Sequence, residues 1–174
     1  MNLSGQDVFG QSDIIHERGI EGQVKAGFIG VGSRGRSHLN DSMALKDVEI
    51  VAVCDIQKSS LDEALKMIAG KGRKAPRIYT GNDKSFEEML KNETLDAVII
   101  ATPWEWHVPM SIASMKAGIP YTAVEVSAAN TLEECWDLVN VHEETGKELM
   151  ILENVCYRRD VMAILNMVRT GLFG

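Results

Sequence analysis

Short apolar runs recur along the chain, and amphipathic segments separate them. The run Val24–Val31 is apolar and leads into glycines, which is typical of a strand buried on both faces. The same pattern predicts four more strands and a weaker sixth, at Val48–Cys54, Ala97–Ala101, Tyr121–Val126, Leu149–Leu152 and Arg77–Thr80. Regular alternation of strands and helices predicts an α/β fold with a doubly wound parallel sheet.

Helices are predicted between the strands. Three begin with a capping box, in which a hydroxyl residue is followed three positions later by glutamate: Ser60–Glu63, Ser85–Glu88 and Thr131–Glu134. The others are predicted at Arg34–Leu45, Trp106–Ala117 and Arg158–Thr170, with Gly118 and Gly171 after the last two. The final helix carries an apolar stripe that predicts a core-facing side, formed by Val161, Ile164, Leu165 and Val168.

The first 23 residues are polar and show no sustained period. We therefore expect a loosely ordered leader over residues 1–23, with a short helix near Asp13–Arg18, and one domain over residues 24–174. The net charge of −7 argues against nucleic acid as a partner. No apolar run approaches the ~20 residues of a membrane span. Because no secretory signal is recognisable, the expected location is the cytoplasm, or the periplasm if a leader has been removed.

The cysteines and histidines give no pattern of metal ligands. Cys54, Cys135 and Cys156 are far apart in sequence, and each lies in an apolar stretch, so we expect three buried free thiols. His16, His38 and His142 are isolated, so no metal site is predicted.

A glycine-rich motif follows the first strand. Gly30, Gly32 and Gly35 fit the pattern G-x-G-x-x-G between a buried strand and a helix. In the Rossmann fold these glycines permit the turn, the approach of a pyrophosphate and the packing of helix on strand. A methyltransferase also has a glycine-rich turn, but it usually has an acid at the end of its first strand, whereas here the apolar Phe28 and Ile29 precede Gly30.

Asp55 ends the second strand, 20 positions after Gly35. An acid at this spacing binds the ribose hydroxyls of NAD and repels the 2′-phosphate of NADP. Arg34 and Lys58 lie close in sequence and would weaken that preference. Taken alone, Asp55 is equally explained as a turn residue. Together with the strand and the glycines, it predicts a Rossmann-type NAD-binding domain.

With Gly30–Gly35, Asp55 and Ala101–Pro103, the chain resembles the Gfo/Idh/MocA oxidoreductases, whose members add a mixed α/β substrate domain absent from this sequence. Three further strings resemble a branch of that family, the NAD-dependent α-N-acetylgalactosaminidases of glycoside hydrolase family 109. They are Thr102–His107, Glu125–Ser127 and Glu153–Asp160. The resemblance covers residues 24–174.

The resemblance implies roles for individual residues. Ser33 and Arg34 would bind the pyrophosphate and Asp55 the ribose. The loop of Trp104, Glu105, Trp106 and His107 would cover the cofactor, although His107 is also explained as a cap of the next helix. Glu125, Val126 and Asn154 would lie at the nicotinamide, and Tyr157 at the mouth of the active site as a candidate catalytic residue.

Two departures from the family pattern bear on function. The wider oxidoreductase family usually has Glu-Lys-Pro where this chain has Glu125-Val126-Ser127, and the lysine handles the substrate hydroxyl. In the glycosidase branch glycine often follows, where this chain has Ala128. Because the lysine is missing, a simple sugar dehydrogenase is disfavoured. The resemblance therefore favours a glycosidase that transiently oxidises the sugar at C3. The alternatives are an NAD-dependent sugar or inositol dehydrogenase and a stand-alone nucleotide-binding module. The expected partners are a sugar or glycoside and a second copy of the chain.

Overall fold

The computed structural model describes residues 22–173. The six strands are β1 (Val24–Ile29), β2 (Val48–Cys54), β3 (Arg77–Tyr79), β4 (Ala97–Ile100), β5 (Tyr121–Val124) and β6 (Glu148–Ile151). The six α-helices are α1 (Ser33–Ala44), α2 (Lys58–Gly70), α3 (Ser85–Asn92), α4 (His107–Lys116), α5 (Leu132–Thr145) and α6 (Arg159–Arg169). All six predicted strands are confirmed to within two residues at either end. The helix predicted near Asp13–Arg18 lies outside the described residues.

The strands form one parallel sheet in the order β3-β2-β1-β4-β5-β6. The chain first builds outward from β1 to β3 and then returns to β4 on the other side of β1. The strand order therefore reverses between β1 and β4. In open α/β sheets this reversal opens a crevice at the carboxyl ends of the strands, where ligands bind.

Two apolar cores cover the two faces of the sheet, as a doubly wound fold requires. On one face α1 and α2 pack on the inner strands, with Phe28, Leu39 and Ile68 almost fully buried. The opposite face holds α3, α4 and α5, with Met89, Ile100 and Met115 at the centre of the larger core. Within residues 22–173, no helix has the length and hydropathy needed to cross a membrane.

Only one of the three predicted capping boxes forms. At α5 the Thr131 hydroxyl accepts from the N–H of Glu134 at 3.1 Å, and the Glu134 carboxylate accepts from the N–H of Thr131. The other two predictions are wrong. Ser60 lies inside α2, and the Ser85 hydroxyl accepts from the N–H of Asn82, upstream of α3. The spacing alone does not fix where a helix begins.

The cysteine prediction is correct at one position and wrong at two. Cys54 is buried at the end of β2, and burial, followed by the nearby charges of Asp55 and Glu88, raises its pKa to about 12. Cys135 and Cys156 are exposed. Cys135 lies on α5, and Cys156 lies in the 3-10 turn Val155–Tyr157 that follows β6.

The predicted core-facing stripe of the last helix is also wrong. No residue of α6 is buried, and Ile164 and Val168 are 52% and 56% exposed. The pattern correctly indicates an amphipathic helix, since the four apolar residues of the stripe share one face. It carries no information about which segment covers that face, and within the described residues none does.

Candidate nucleotide-binding site

The glycine turn fixes α1 against the sheet. Gly30 has φ +82°, a conformation that side chains disfavour, and a Cβ there would meet the carbonyl of Ala101. A Cβ on Gly35 would collide with the carbonyl oxygen of Gly30. The first and third glycines therefore allow close packing between the turn, α1 and the end of β4.

The middle glycine leaves open space at the start of α1. A Cβ on Gly32 would have no atom within 4 Å, and as the N-cap residue Gly32 offers no side chain to the helix N–H groups. Ser33 and Arg34 are exposed in the first turn, which contains no acidic residue. Free N–H groups and the positive end of the helix dipole suit a phosphate group here. The opening therefore has the space and the electrostatics that the predicted pyrophosphate site requires.

Asp55 connects the turn to the second strand. Its Oδ2 accepts from the N–H of Val31 at 2.8 Å, and its Oδ1 accepts from the N–H of Gln57 at 2.8 Å. The residue therefore does act as a turn residue. Because an ionised carboxylate offers about four acceptor positions, two remain for ribose hydroxyls. The structural interpretation and the ribose-binding interpretation are compatible.

A cleft of about 270 Å³ lies beside Gly30, Gly32 and Asp55. Its far wall includes Trp106, whose ring meets Phe86 edge to face with centroids 6.3 Å apart. The charged residues that line this cleft, Asp55 and Asp83, are both acidic. Neither Arg34 nor Lys58 lines the cleft.

The Trp-Glu-Trp-His segment divides into an exposed and a buried part. Trp104, Glu105 and Trp106 form a 3-10 turn in which Trp104 is 61% exposed. His107 is fully buried, with Nδ1 2.6 Å from the carbonyl oxygen of Ser127 and Nε2 2.8 Å from that of Thr102. Its ring thus bridges the loops after β4 and β5. The helix-cap interpretation is wrong, because both ring nitrogens face carbonyl oxygens of these loops.

Glu125, just after β5, is the buried centre of a partly buried polar cluster. Its Oε1 accepts from Nε of Arg34 at 2.6 Å and lies 2.5 Å from Nε2 of His38. Burial opposes ionisation of Glu125, but the hydrogen bonds from His38 and Arg34 outweigh it and hold the pKa below the ordinary value. Val126, the next residue, is 40% exposed.

The last two predicted site residues lie apart from the cleft. Asn154 and Tyr157 follow β6, and both are exposed, Tyr157 by 71%. Neither lines the cleft beside Asp55. The described residues therefore bring together the glycine turn, Asp55 and Trp106, and separately Arg34 with Glu125.

Sequence reasoning missed two residues of this edge. His38 was expected to be isolated, yet it contacts Glu125. The available signal was its position four residues after Arg34, which places both side chains on one face of α1. Phe86 had no such signal, because its contact with Trp106 depends on how α3 packs.

Fold and site together define a dinucleotide-binding domain of Rossmann type. The chain belongs to the oxidoreductase family with an NAD-binding Rossmann fold, Gfo/Idh/MocA, whose model matches residues 24–153. NAD is thus the cofactor of this domain, as predicted.

Proteins with similar sequences have more specific names than the family model does. The chain is 62% identical over 154 residues to a glycosyl hydrolase family 109 protein of Parabacteroides distasonis and to an α-N-acetylgalactosaminidase of Tannerella forsythia. These matches cover 88% of this chain and 33% of each relative. The chain therefore spans about a third of their length. The predicted resemblance to this branch is confirmed.

Solved structures confirm the fold. The scyllo-inositol dehydrogenase of Lactobacillus casei with bound NAD(H) and scyllo-inositol superposes with a TM-score of 0.74 at 18% identity. The WlbA dehydrogenase of Bordetella pertussis in complex with NADH and UDP-GlcNAcA gives 0.74 at 22% identity. Both matches cover 87% of this chain, and they cover 42% of the inositol dehydrogenase and 43% of the WlbA dehydrogenase.

Proposed function

We propose that this chain is the NAD-binding part of a glycosidase that acts on α-N-acetylgalactosaminides by transient oxidation of the sugar at C3. The observation that carries the proposal is the loop after β5, where the exposed apolar Val126 follows Glu125. In the wider family a lysine at this position handles the substrate hydroxyl during net oxidation. The 62% identity to two glycosidase-branch relatives supports the same branch.

The described residues bind and orient in this proposal. The turn from Gly30 to Gly35, with Ser33 and Arg34, holds the pyrophosphate, and Asp55 accepts from the ribose hydroxyls. Trp106 closes the cleft, with Trp104 and Glu105 at its rim, while His107 fixes the loop beneath them. A dinucleotide held by these residues would supply reversible hydride transfer at C3 of the sugar.

The nicotinamide side is assigned to the carboxyl ends of β5 and β6. Glu125, Val126 and Asn154 follow these strands, and the second half of a dinucleotide extends across this edge of the sheet. Tyr157 is proposed to face the sugar at the mouth of the site, since its side chain is 71% exposed.

The test uses the full-length protein with NAD and an aryl α-N-acetylgalactosaminide in deuterated water. We expect release of the aryl alcohol without accumulation of NADH, and deuterium at C2 of the sugar, because oxidation at C3 acidifies the C2 proton. Accumulation of NADH in proportion to product would instead establish the dehydrogenase alternative. NAD binding without either product would leave a nucleotide-binding module.

A further inference from the structure

Two partners share a single oxygen of Glu125. Both Nε of Arg34 and Nε2 of His38 lie within hydrogen-bond distance of Oε1. Because a carboxylate only accepts, His38 must carry its proton on Nε2 to make this bond. The cluster therefore joins two positions of α1 to the end of β5.

The three side chains differ in access to solvent. The side chain of Glu125 is 9% exposed and that of His38 is 17% exposed, whereas that of Arg34 is 44% exposed. A bound ligand thus reaches Arg34 first. Since Arg34 uses only Nε toward Glu125, its two terminal amino groups are available to a phosphate.

We propose that His38 is a positioning residue for the dinucleotide: it fixes the carboxylate of Glu125, which in turn aims the guanidinium of Arg34 at the pyrophosphate. This rests on NAD binding at the glycine turn, and it gives Glu125 an orienting role beneath Arg34. A long arginine side chain loses rotamer freedom when it binds a phosphate. Holding it beforehand removes part of that cost.

The experiment compares three ligands, NAD, ADP-ribose and adenosine, by calorimetry or by competition where binding is weak. His38→Ala should weaken NAD and ADP-ribose alike, by about threefold to tenfold, because both contain the pyrophosphate. Adenosine, which has no phosphate, should bind unchanged. His38→Gln, which keeps a donor in the side chain, should recover part of the loss.

Double-mutant comparison shows whether the effect passes through Arg34. In an Arg34→Ala background, His38→Ala should have no further effect on NAD affinity. The matched control is His142→Ala, which removes a histidine of α5 that is bonded to the carbonyl of Lys147, and it should leave all three affinities unchanged.

Several results would overturn the proposal. Loss of NAD affinity with ADP-ribose unaffected would place the effect at the nicotinamide. Loss that persists in the Arg34→Ala background, or that extends to adenosine, would indicate a general disturbance of α1. If the unaltered chain bound no NAD, the proposed function itself would fail, which is a distinct result.

Discussion

Two regions of the sheet, β1 and β2 beside the glycine turn and β6 with the following α6, were predicted from similar apolar patterns, but they are covered differently. At β1 and β2 the strands, α1 and the glycine turn bury one another, and Asp55 ties the turn to β2. At β6 and α6 the apolar side chains are left exposed, including Met150, Ile151 and Phe173. The apolar pattern of a segment therefore predicts that the segment has an apolar face, but it does not predict which other segment packs against that face.

The sharpest contrast between the two regions is the reactivity of their cysteines. With its pKa raised to about 12, the buried Cys54 is thiolate in only about one molecule in ten thousand at pH 8. Cys156, in the turn before α6, is exposed. Labelling with iodoacetamide, followed by mass spectrometry, should modify Cys156 at least about a thousandfold faster than Cys54. Comparable rates would show that the β2 end opens readily.

The second prediction separates binding from packing within the glycine turn. Gly32→Val should raise the dissociation constant for NAD by at least about a hundredfold, because the branched side chain would fill the opening for the pyrophosphate. The thermal midpoint should change little, since the space is open. Gly35→Val should instead destabilise the fold through its clash with Gly30.

Gly70→Val is the matched control, because a Cβ there also has no neighbour within 4 Å, at the end of α2. This variant should bind NAD normally. Retained binding in Gly32→Val would remove the argument for a pyrophosphate at this turn.

The sequence predicted the packed region well for a physical reason. The strand at Val48–Cys54 was predicted at its observed bounds, because a buried strand needs a continuous apolar run. The glycines and Asp55 were found because their spacing follows from local backbone geometry. By contrast, the contact of His38 with Glu125 joins positions 87 residues apart, and such long-range contacts leave little trace in one sequence.

The third prediction addresses the exposed region. Met162, Met167, Leu172 and Phe173 are all partly or largely exposed on and after α6. We expect this surface to associate two copies of the chain, because uncovered apolar patches tend to find partners. Replacing Met167 and Phe173 with serine should raise the dimer dissociation constant by about thirtyfold, roughly 2 kcal/mol, as measured by light scattering.

Leu132→Ser provides the control for that surface, since Leu132 is 69% exposed but lies at the start of α5. It should leave the dimer unchanged. A monomer at high concentration of the unaltered chain would refute the prediction.

The fourth prediction concerns cofactor choice. We expect the acidic lining of the cleft to favour NAD over NADP, because the carboxylate of Asp55 would repel a 2′-phosphate. Asp55→Asn should reduce the ratio of NAD to NADP affinity by about tenfold, measured by calorimetry. The exposed Asp62 on α2 gives a charge-matched control, and Asp62→Asn should preserve the ratio. Equal affinities for the two cofactors in the unaltered chain would eliminate this role of Asp55.

The smallest expected effect is the pH dependence of stability at Glu125. Burial opposes its ionisation, but hydrogen bonds from His38 and Arg34 prevail, so its pKa is lower in the folded chain than the ordinary value of 4.5. The ionised cluster therefore stabilises the fold above the unfolded-state pKa, and this contribution falls as the pH drops through the folded-state pKa.

Glu125→Gln should lower the free energy of unfolding by about 1 kcal/mol near pH 7, with a smaller difference from the unaltered chain below pH 4.5. Thermal unfolding across this range measures it. Glu105→Gln, which alters an exposed carboxylate in the neighbouring loop, should show no such dependence. A cost for Glu125→Gln that stays constant with pH would mean that the cluster stabilises the fold by packing alone.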